Sequence, residues 1–237
     1  FNKKTAESII KQQYGIKDLS GFGCQNMDTA ISALGCLIQY LSDTQKSLLP
    51  HLQSPKIDSE NDLIQIDSIS RRNLELETSL AEEKSHSLLD VIDTTSTVMG
   101  GRLLRRWLLQ PIRDHAVLQC RHDAVKELLL NRCHGDFHEA MCGICDIERI
   151  MSRVALKSAR PRDLIQLRDS ITLLPQIKSR LESLDSPRLS KLYQDISLFP
   201  GLLQILNEAL LDEPSTMIRN GGVIASNYDK ELDELRE

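Results

Sequence analysis

Residues 91–114 read VIDTTSTVMGGRLLRRWLLQPIRD, and the fold class of the whole chain turns on them. At about 100° per residue, a helix starting near Ser96 places Met99, Leu103, Leu104, Trp107 and Leu108 on one apolar arc. Arg102, Arg105 and Arg106 gather on the other side. Pro111 stops this helix, because proline lacks the N–H and its ring crowds the preceding turn. Asp114 then stands where its carboxylate can accept bonds from the free N–H groups of a following helix. Gly100 lies in the middle of the apolar arc and Gly101 at its edge. Each costs the helix about 1 kcal/mol relative to alanine. That expense predicts a second backbone passing close by, with Gly100 the point most sensitive to a larger side chain.

Composition sets the outer limits. With 237 residues the chain can bury a proper core, as one large domain or two small ones. Aromatic residues make up 4%, so the apolar load falls on leucine and isoleucine, which suits helix packing. No apolar run approaches the roughly 18 residues of a membrane span, and no signal peptide opens the chain. The formal net charge of −5 is the wrong sign for a self-sufficient grip on duplex DNA, where phosphate neutralisation supplies most of the affinity. Six cysteines at irregular spacing do not form a disulfide framework and fit a reducing cytoplasm. The chain starts at Phe1 and stops at Glu237 within a helical pattern, which reads as a fragment of a longer protein.

Taken in order, residues 1–55 predict two helices and a loop. Leu19-Ser20-Gly21-Phe22-Gly23 breaks the chain. Asn26 or Asp28 can then cap a helix with Ala30, Ile31, Leu34, Ile38 and Leu41 at helical spacing, and Pro50 and Pro55 bracket a polar linker. Leu63–Asp67 is the best strand candidate, with Ile64 and Ile66 on one face. A polar loop and a short helix are expected over 79–92. From Asp114 the pattern is helical almost throughout. Val117, Leu118, Val125, Leu128 and Leu129 mark one helix ending near Asn131; Ile144, Ile147, Met151 and Val154 mark another. Arg160-Pro161-Arg162-Asp163 opens a third, since proline suits the first helical position, and Leu164, Leu167, Ile171 and Leu174 line its apolar face. Further helices are expected over about 176–184, 188–197 and 200–211. A short extended piece follows near 222–225, then a charged helix from Asp229.

Four blocks of this chain together resemble one family. The first is Asp18–Gln45, DLSGFGCQNMDTAISALGCLIQYLSDTQ, and the second is Arg71–Glu75, RRNLE. The third is the opening stretch, through Thr97, Met99, Gly100, Arg102, Leu104, Arg106, Trp107, Leu108, Pro111, Arg113 and Asp114. The fourth comprises Ala155–Leu164, ALKSARPRDL, with Asn220–Glu234, NGGVIASNYDKELDE, after it. These runs are similar to the connector and core domains of the bacterial mismatch-repair protein MutS. The resemblance implies a mainly all-α fold, a helical core (lever) domain with short β segments and a truncated connector tail. It places the connector's end at 1–58 and the core at 59–237, stopping where a helical arm begins toward the DNA clamp. It also implies that the intact protein binds mispaired duplex DNA as a dimer with a second MutS subunit, works with a MutL-type partner, and couples binding to ATP turnover. ATP and Mg belong to a separate ATPase domain, so this part is expected to be a bacterial cytoplasmic lever with no cofactor, little or no DNA affinity and no catalysis of its own.

His134, His138, Cys142 and Cys145 step by four, four and three, so one helix face could present a zinc set. A single helix wraps a tetrahedron poorly, however, and ordinary surface side chains are the plainer reading of Cys133–Cys145. An autonomous metal-binding or enzymatic domain built on that cluster is the alternative function. Phe137-His138-Glu139 mimics a mismatch-reading Phe-x-Glu, but that reader belongs to another MutS domain, so no role transfers. No G-x-x-x-x-G-K-[ST] loop occurs: Lys46-Ser47, Lys84-Ser85, Lys157-Ser158 and Lys178-Ser179 all lack the upstream glycine. G-x-S-x-G and H-E-x-x-H are absent too. The two arginine groups, Arg102/Arg105/Arg106 and Arg160/Arg162/Arg168, read first as solvated faces or ion pairs with the abundant carboxylates, and otherwise as contacts to another domain or to phosphate. Structural and coupling roles are therefore expected of Met99, Gly100, Gly101, Arg102, Leu103, Arg106, Trp107, Pro111, Asp114, Arg160, Pro161, Arg162 and Asp163. No catalytic, cofactor-binding or metal-binding residue is expected.

Overall fold

A computed structural model describes residues 2–45, 52–57, 62–80, 86–215 and 221–236. The chain divides into two compact units, residues 1–59 with 155–157, and 60–154 with 158–237. The expected domain boundary at 58/59 and the start of the Pro50–Pro55 linker lie outside the described residues.

The first unit is a helix pair, as its periodicity predicts. Asn2 accepts the Lys4 N–H and starts α1 (Lys3–Tyr14), and Gly15 ends it in a left-handed conformation, φ 64°. A 3-10 turn, Ser20–Phe22, leads to α2 (Asp28–Gln45). Ala6, Ile10, Leu19, Ile31 and Ile38 form the core. The two helices cross where Gly35 meets Ala6: a Cβ on Gly35 would lie 2.5 Å from both Cα and Cβ of Ala6.

The second unit is a helical assembly. Its elements are α3 (Ser68–Asn73), α4 (Leu88–Ile92), α5 (Val98–Leu109), α6 (His115–Leu130), α7 (His134–Met141), α8 (Ile147–Ala155), α9 (Pro161–Leu181), α10 (Pro187–Asp195), α11 (Pro200–Ala209) and α12 (Lys230–Glu234). Local capping explains half of their starts. Asp67, Thr97, Asp114 and Asp229 each accept N–H bonds from the helix they precede. Ser87 and Asp90 cap α4 reciprocally. The short helix expected within 79–92 is α4; residues 81–85 of that stretch lie outside the described residues.

The organising element of this unit is α9. Its 21 residues span roughly 32 Å. Its first half contributes Leu167 and Ile171 to a core with Ile150 of α8 and Leu206 and Leu210 at the end of α11. Its second half contributes Ile177 and Leu181 to another core, with Ala124 of α6, Phe137 and Ala140 of α7, and Leu189 of α10. This corrects the expectation of a separate helix over 176–184. Pro175 sits inside α9 and is exposed. An interior proline costs about 3 kcal/mol, and burial of Ile177 and Leu181 beyond it offsets that loss.

The expected strands shrink to isolated pairings among the described residues. Leu63 pairs antiparallel with Ile112, and Leu210 with Ile224. The Ile64 N–H donates to the Pro111 carbonyl at 2.7 Å and the Arg113 N–H to the Asp62 carbonyl at 2.9 Å. Neither stretch has a second neighbour to extend the ladder, so alternation in sequence does not mature into a sheet.

Candidate functional site

The helix α5 carries most of the residues singled out in the sequence, and its surroundings differ from expectation in two ways. First, none of its residues is fully buried. Leu103 is 47% exposed and Trp107 38%, so the apolar arc is not the centre of a core. Met99, Leu104 and Leu108 are half-buried. Second, no other backbone presses on its glycines. A Cβ on Gly100 would meet Thr97 Oγ1 at 3.0 Å and Thr95 Cβ at 3.3 Å; one on Gly101 would meet Asp93 Oδ2 at 3.1 Å. The glycines leave room for the loop Asp93–Thr97, which folds back over the start of its own helix. Thr97 Oγ1 accepts the Gly100 N–H at 3.0 Å. Asp93 accepts both the N–H and the hydroxyl of Thr95, which holds its carboxyl below the ordinary value.

Polar pairs hold α5 in place. Arg102 is the main one: its Nη1 donates to Asp146 Oδ2 at 2.7 Å and its Nη2 to Asp146 Oδ1 at 2.8 Å. The same Nη2 reaches Glu148 Oε2 at 2.6 Å. Two parallel N–H···O bonds to one carboxylate match the guanidinium fork and fix orientation as well as charge. The fork lowers the Asp146 pKa from its ordinary value and raises that of Arg102 further. Asp146 also accepts the Arg149 N–H at 3.2 Å, so the carboxylate that grips α5 stands at the start of α8. Arg105 pairs with Glu77. The ion-pair reading of the first arginine group therefore holds for Arg102 and Arg105. Arg106 is exposed.

Past the end of α5, Pro111 passes its carbonyl to Ile64, and Asp114 accepts the Ala116 and Val117 N–H groups at 2.8 and 3.2 Å to start α6. Trp107 lies against α6, with the Arg121 guanidinium 3.9 Å above its ring centroid.

The second singled-out run, Arg160–Asp163, also meets α8. Pro161 occupies the first position of α9 and is buried. Asp163 is buried with it and accepts the Arg160 N–H at 2.9 Å, a cap reaching back from the third helical residue. Its other oxygen accepts from Arg153 Nη1 of α8 at 2.5 Å. Arg160 and Arg162 are exposed, and Arg168 pairs with Asp169 and Asp212. The two runs thus converge on one short helix: α8 takes α5 through Asp146 and Glu148, and α9 through Arg153. Sequence reasoning missed Asp146, Glu148 and Arg153. The available signal was a carboxylate pair two residues apart at the start of the helix that Ile147, Met151 and Val154 mark by their spacing.

The Cys/His run lies mostly on α7. The Cys142 thiol is 3.9 Å from His138 Nδ1 and 3.3 Å from the His138 carbonyl, while His138 Nε2 lies 3.2 Å from the Thr94 carbonyl. Among the described residues no group of three or more His, Cys, Asp or Glu side chains is arranged to hold a metal ion. Nor do the described lysine–serine pairs sit where a phosphate loop needs them. Lys157-Ser158 follows the end of α8, and Lys178 lies inside α9, donating to the Ile196 carbonyl at 2.7 Å.

Comparison with known families settles the larger context. Residues 69–237 match the model of MutS domain III, and residues 1–53 match that of MutS domain II. The chain belongs to the MutS family. The mostly helical second unit is what domain III of a MutS-type mismatch-repair protein calls for, and the first unit contains the whole of the domain II match. Within this MutS chain no described helix is long and apolar enough to cross a membrane.

Proposed function

We propose that this chain is the helical lever of a mismatch-repair protein, carrying information between DNA-binding and ATPase parts and performing no catalysis itself. One observation carries the reading: α5 is joined to α8 by guanidinium–carboxylate pairs and not by deep apolar packing, whereas α9 both pairs with Arg153 of α8 and shares a buried core with it. A helix fixed by a few directional pairs can shift as a body between discrete arrangements, whereas one buried in a close-packed core resists displacement. Its substrate in the whole protein is mispaired duplex DNA, bound with a second MutS subunit and relayed to a MutL-type partner in the cytoplasm. ATP and Mg act in an ATPase domain, since the sequence here has no phosphate loop.

The test uses the intact protein. Arg102→Ala should leave mismatch affinity and basal ATP hydrolysis largely intact, because neither chemistry uses Arg102, and should slow ATP-driven release from a mismatched duplex. The exchanged pair Arg102→Asp with Asp146→Arg should recover part of the release rate. Normal release in Arg102→Ala, with an unchanged denaturation midpoint, would show that α5 is not a coupling element.

A further inference from the structure

Arg121 lies between two grooves that the lever reading does not use. On one side, α6 and α10 enclose a cleft of about 370 Å3, lined by Ala116, Val117, Cys120, Arg121, Arg188 and Lys191 among others. It holds three cations and no carboxylate. On the other side, Trp107, Pro111, Ile112, Leu118 and Val125 line an apolar groove of about 250 Å3 that shares Arg121 and includes His122. Val125 is 54% exposed, and Leu129, one turn further along α6, is 56% exposed, so the apolar strip continues beyond the groove.

Among the described residues neither Arg121, Arg188 nor Lys191 makes an ion pair, although carboxylates outnumber cations in the chain. Burial and the like charge of Arg188 both disfavour the charged form of Arg121. Its guanidinium stacks on the Trp107 face, which holds it in position. Like charges held together beside an exposed apolar strip form a surface awaiting negative charge and apolar anchors at once.

We propose that the paired grooves dock an acidic amphipathic helix of a partner protein. Its apolar face would fill the groove beside Trp107, and its carboxylates would pair with Arg121, Arg188 and Lys191. This is the helix-in-groove mode, with a tryptophan and arginines as the anchors that dominate such interfaces. A phosphate backbone suits the site less well. It would pair with the cations but leave the apolar groove uncovered, and the net charge of −5 opposes steering of nucleic acid.

Trp107 is the only tryptophan, so its emission reports this site directly. The full chain is titrated with a synthetic helical peptide bearing leucines at i, i+3, i+4 and i+7 and glutamates on the flanking positions. A saturable blue shift is expected, weakening with added salt. Replacing the peptide's glutamates by glutamine, or introducing Arg188→Glu with Lys191→Glu, should each weaken binding about tenfold or more. A circular-dichroism melt checks that the variant is folded, and Arg188→Gln with the same salt series decides the matter if it is not. Equal binding of the glutamine peptide, or full binding by the folded charge-reversed variant, would overturn the proposal. So would a short duplex that shifts Trp107 emission at lower concentration than the peptide, which would make the groove a phosphate track.

Discussion

Helices α2 and α5 both contain glycine where its missing side chain matters, and the glycines do opposite things. In α2, Gly35 is a crossing point: the backbone of α1 at Ala6 occupies the space where its side chain would be. In α5, Gly100 and Gly101 face side chains of their own preceding loop, and the helix is held from outside by Arg102 on Asp146 and Glu148. The first device gives a close-packed contact that cannot slide without losing its fit. The second leaves the helix surface half-open and its attachment ionic. In both helices glycine marks a tight place, and its neighbours in space decide whether that place is an interface or a cap.

The largest effect is expected at the crossing. Gly35→Ala should destabilise the α1–α2 pair by about 3 kcal/mol, read as loss of hydrogen-exchange protection in both helices. Adding Ala6→Gly should restore only part of it, because the new methyl would still collide with the Ala6 Cα. Full restoration would mean that side chains, and not backbones, set the helix separation.

Asp163→Ala comes next. It removes a buried cap and the partner of Arg153 together, and should cost about 2 kcal/mol, with exchange fastest in the first turn of α9. Protection unchanged there would separate the Arg160–Asp163 run from α8.

Arg102→Ala should have a smaller effect on the denaturation midpoint, one that depends on pH and salt. The Asp146 carboxyl is held below its ordinary value in the folded chain. Its contribution is therefore complete above the unfolded carboxylate value of about 4 and is lost as pH falls through the lower folded value. Parent and variant midpoints should converge in acid and at high salt. A pH-independent difference would mean that Arg102 acts through packing of its stem.

The smallest effect is expected at Gly100. Alanine there gains about 1 kcal/mol of helix propensity and loosens the Thr97 cap, worth about as much, so the net change should stay within about 0.5 kcal/mol. A loss approaching that of Gly35→Ala would erase the distinction between the two glycines.

What the sequence determined by itself was local. The cap at Asp114, the helix start near Asp229, the proline start at Pro161 and the stop at Pro111 all depend on groups a few residues apart, so spacing and residue type were enough. Family-matching runs added the MutS assignment for the same reason, since they are patterns along the chain. What only the tertiary structure decided was which apolar arc is covered and which charges meet. The arc of α5 and that of α9 look alike in sequence, yet α9 joins two cores while Leu103 and Trp107 of α5 remain half-open. Helix α9 also runs through Pro175, because burial beyond the proline outweighs its missing hydrogen bond. Asp146 and Arg102 are 44 residues apart, and Ala6 and Gly35 are 29 apart (35 − 6), so no window of local periodicity spans either pair. Burial and ion pairing are properties of neighbours in space, and those neighbours exist only once the helices have packed.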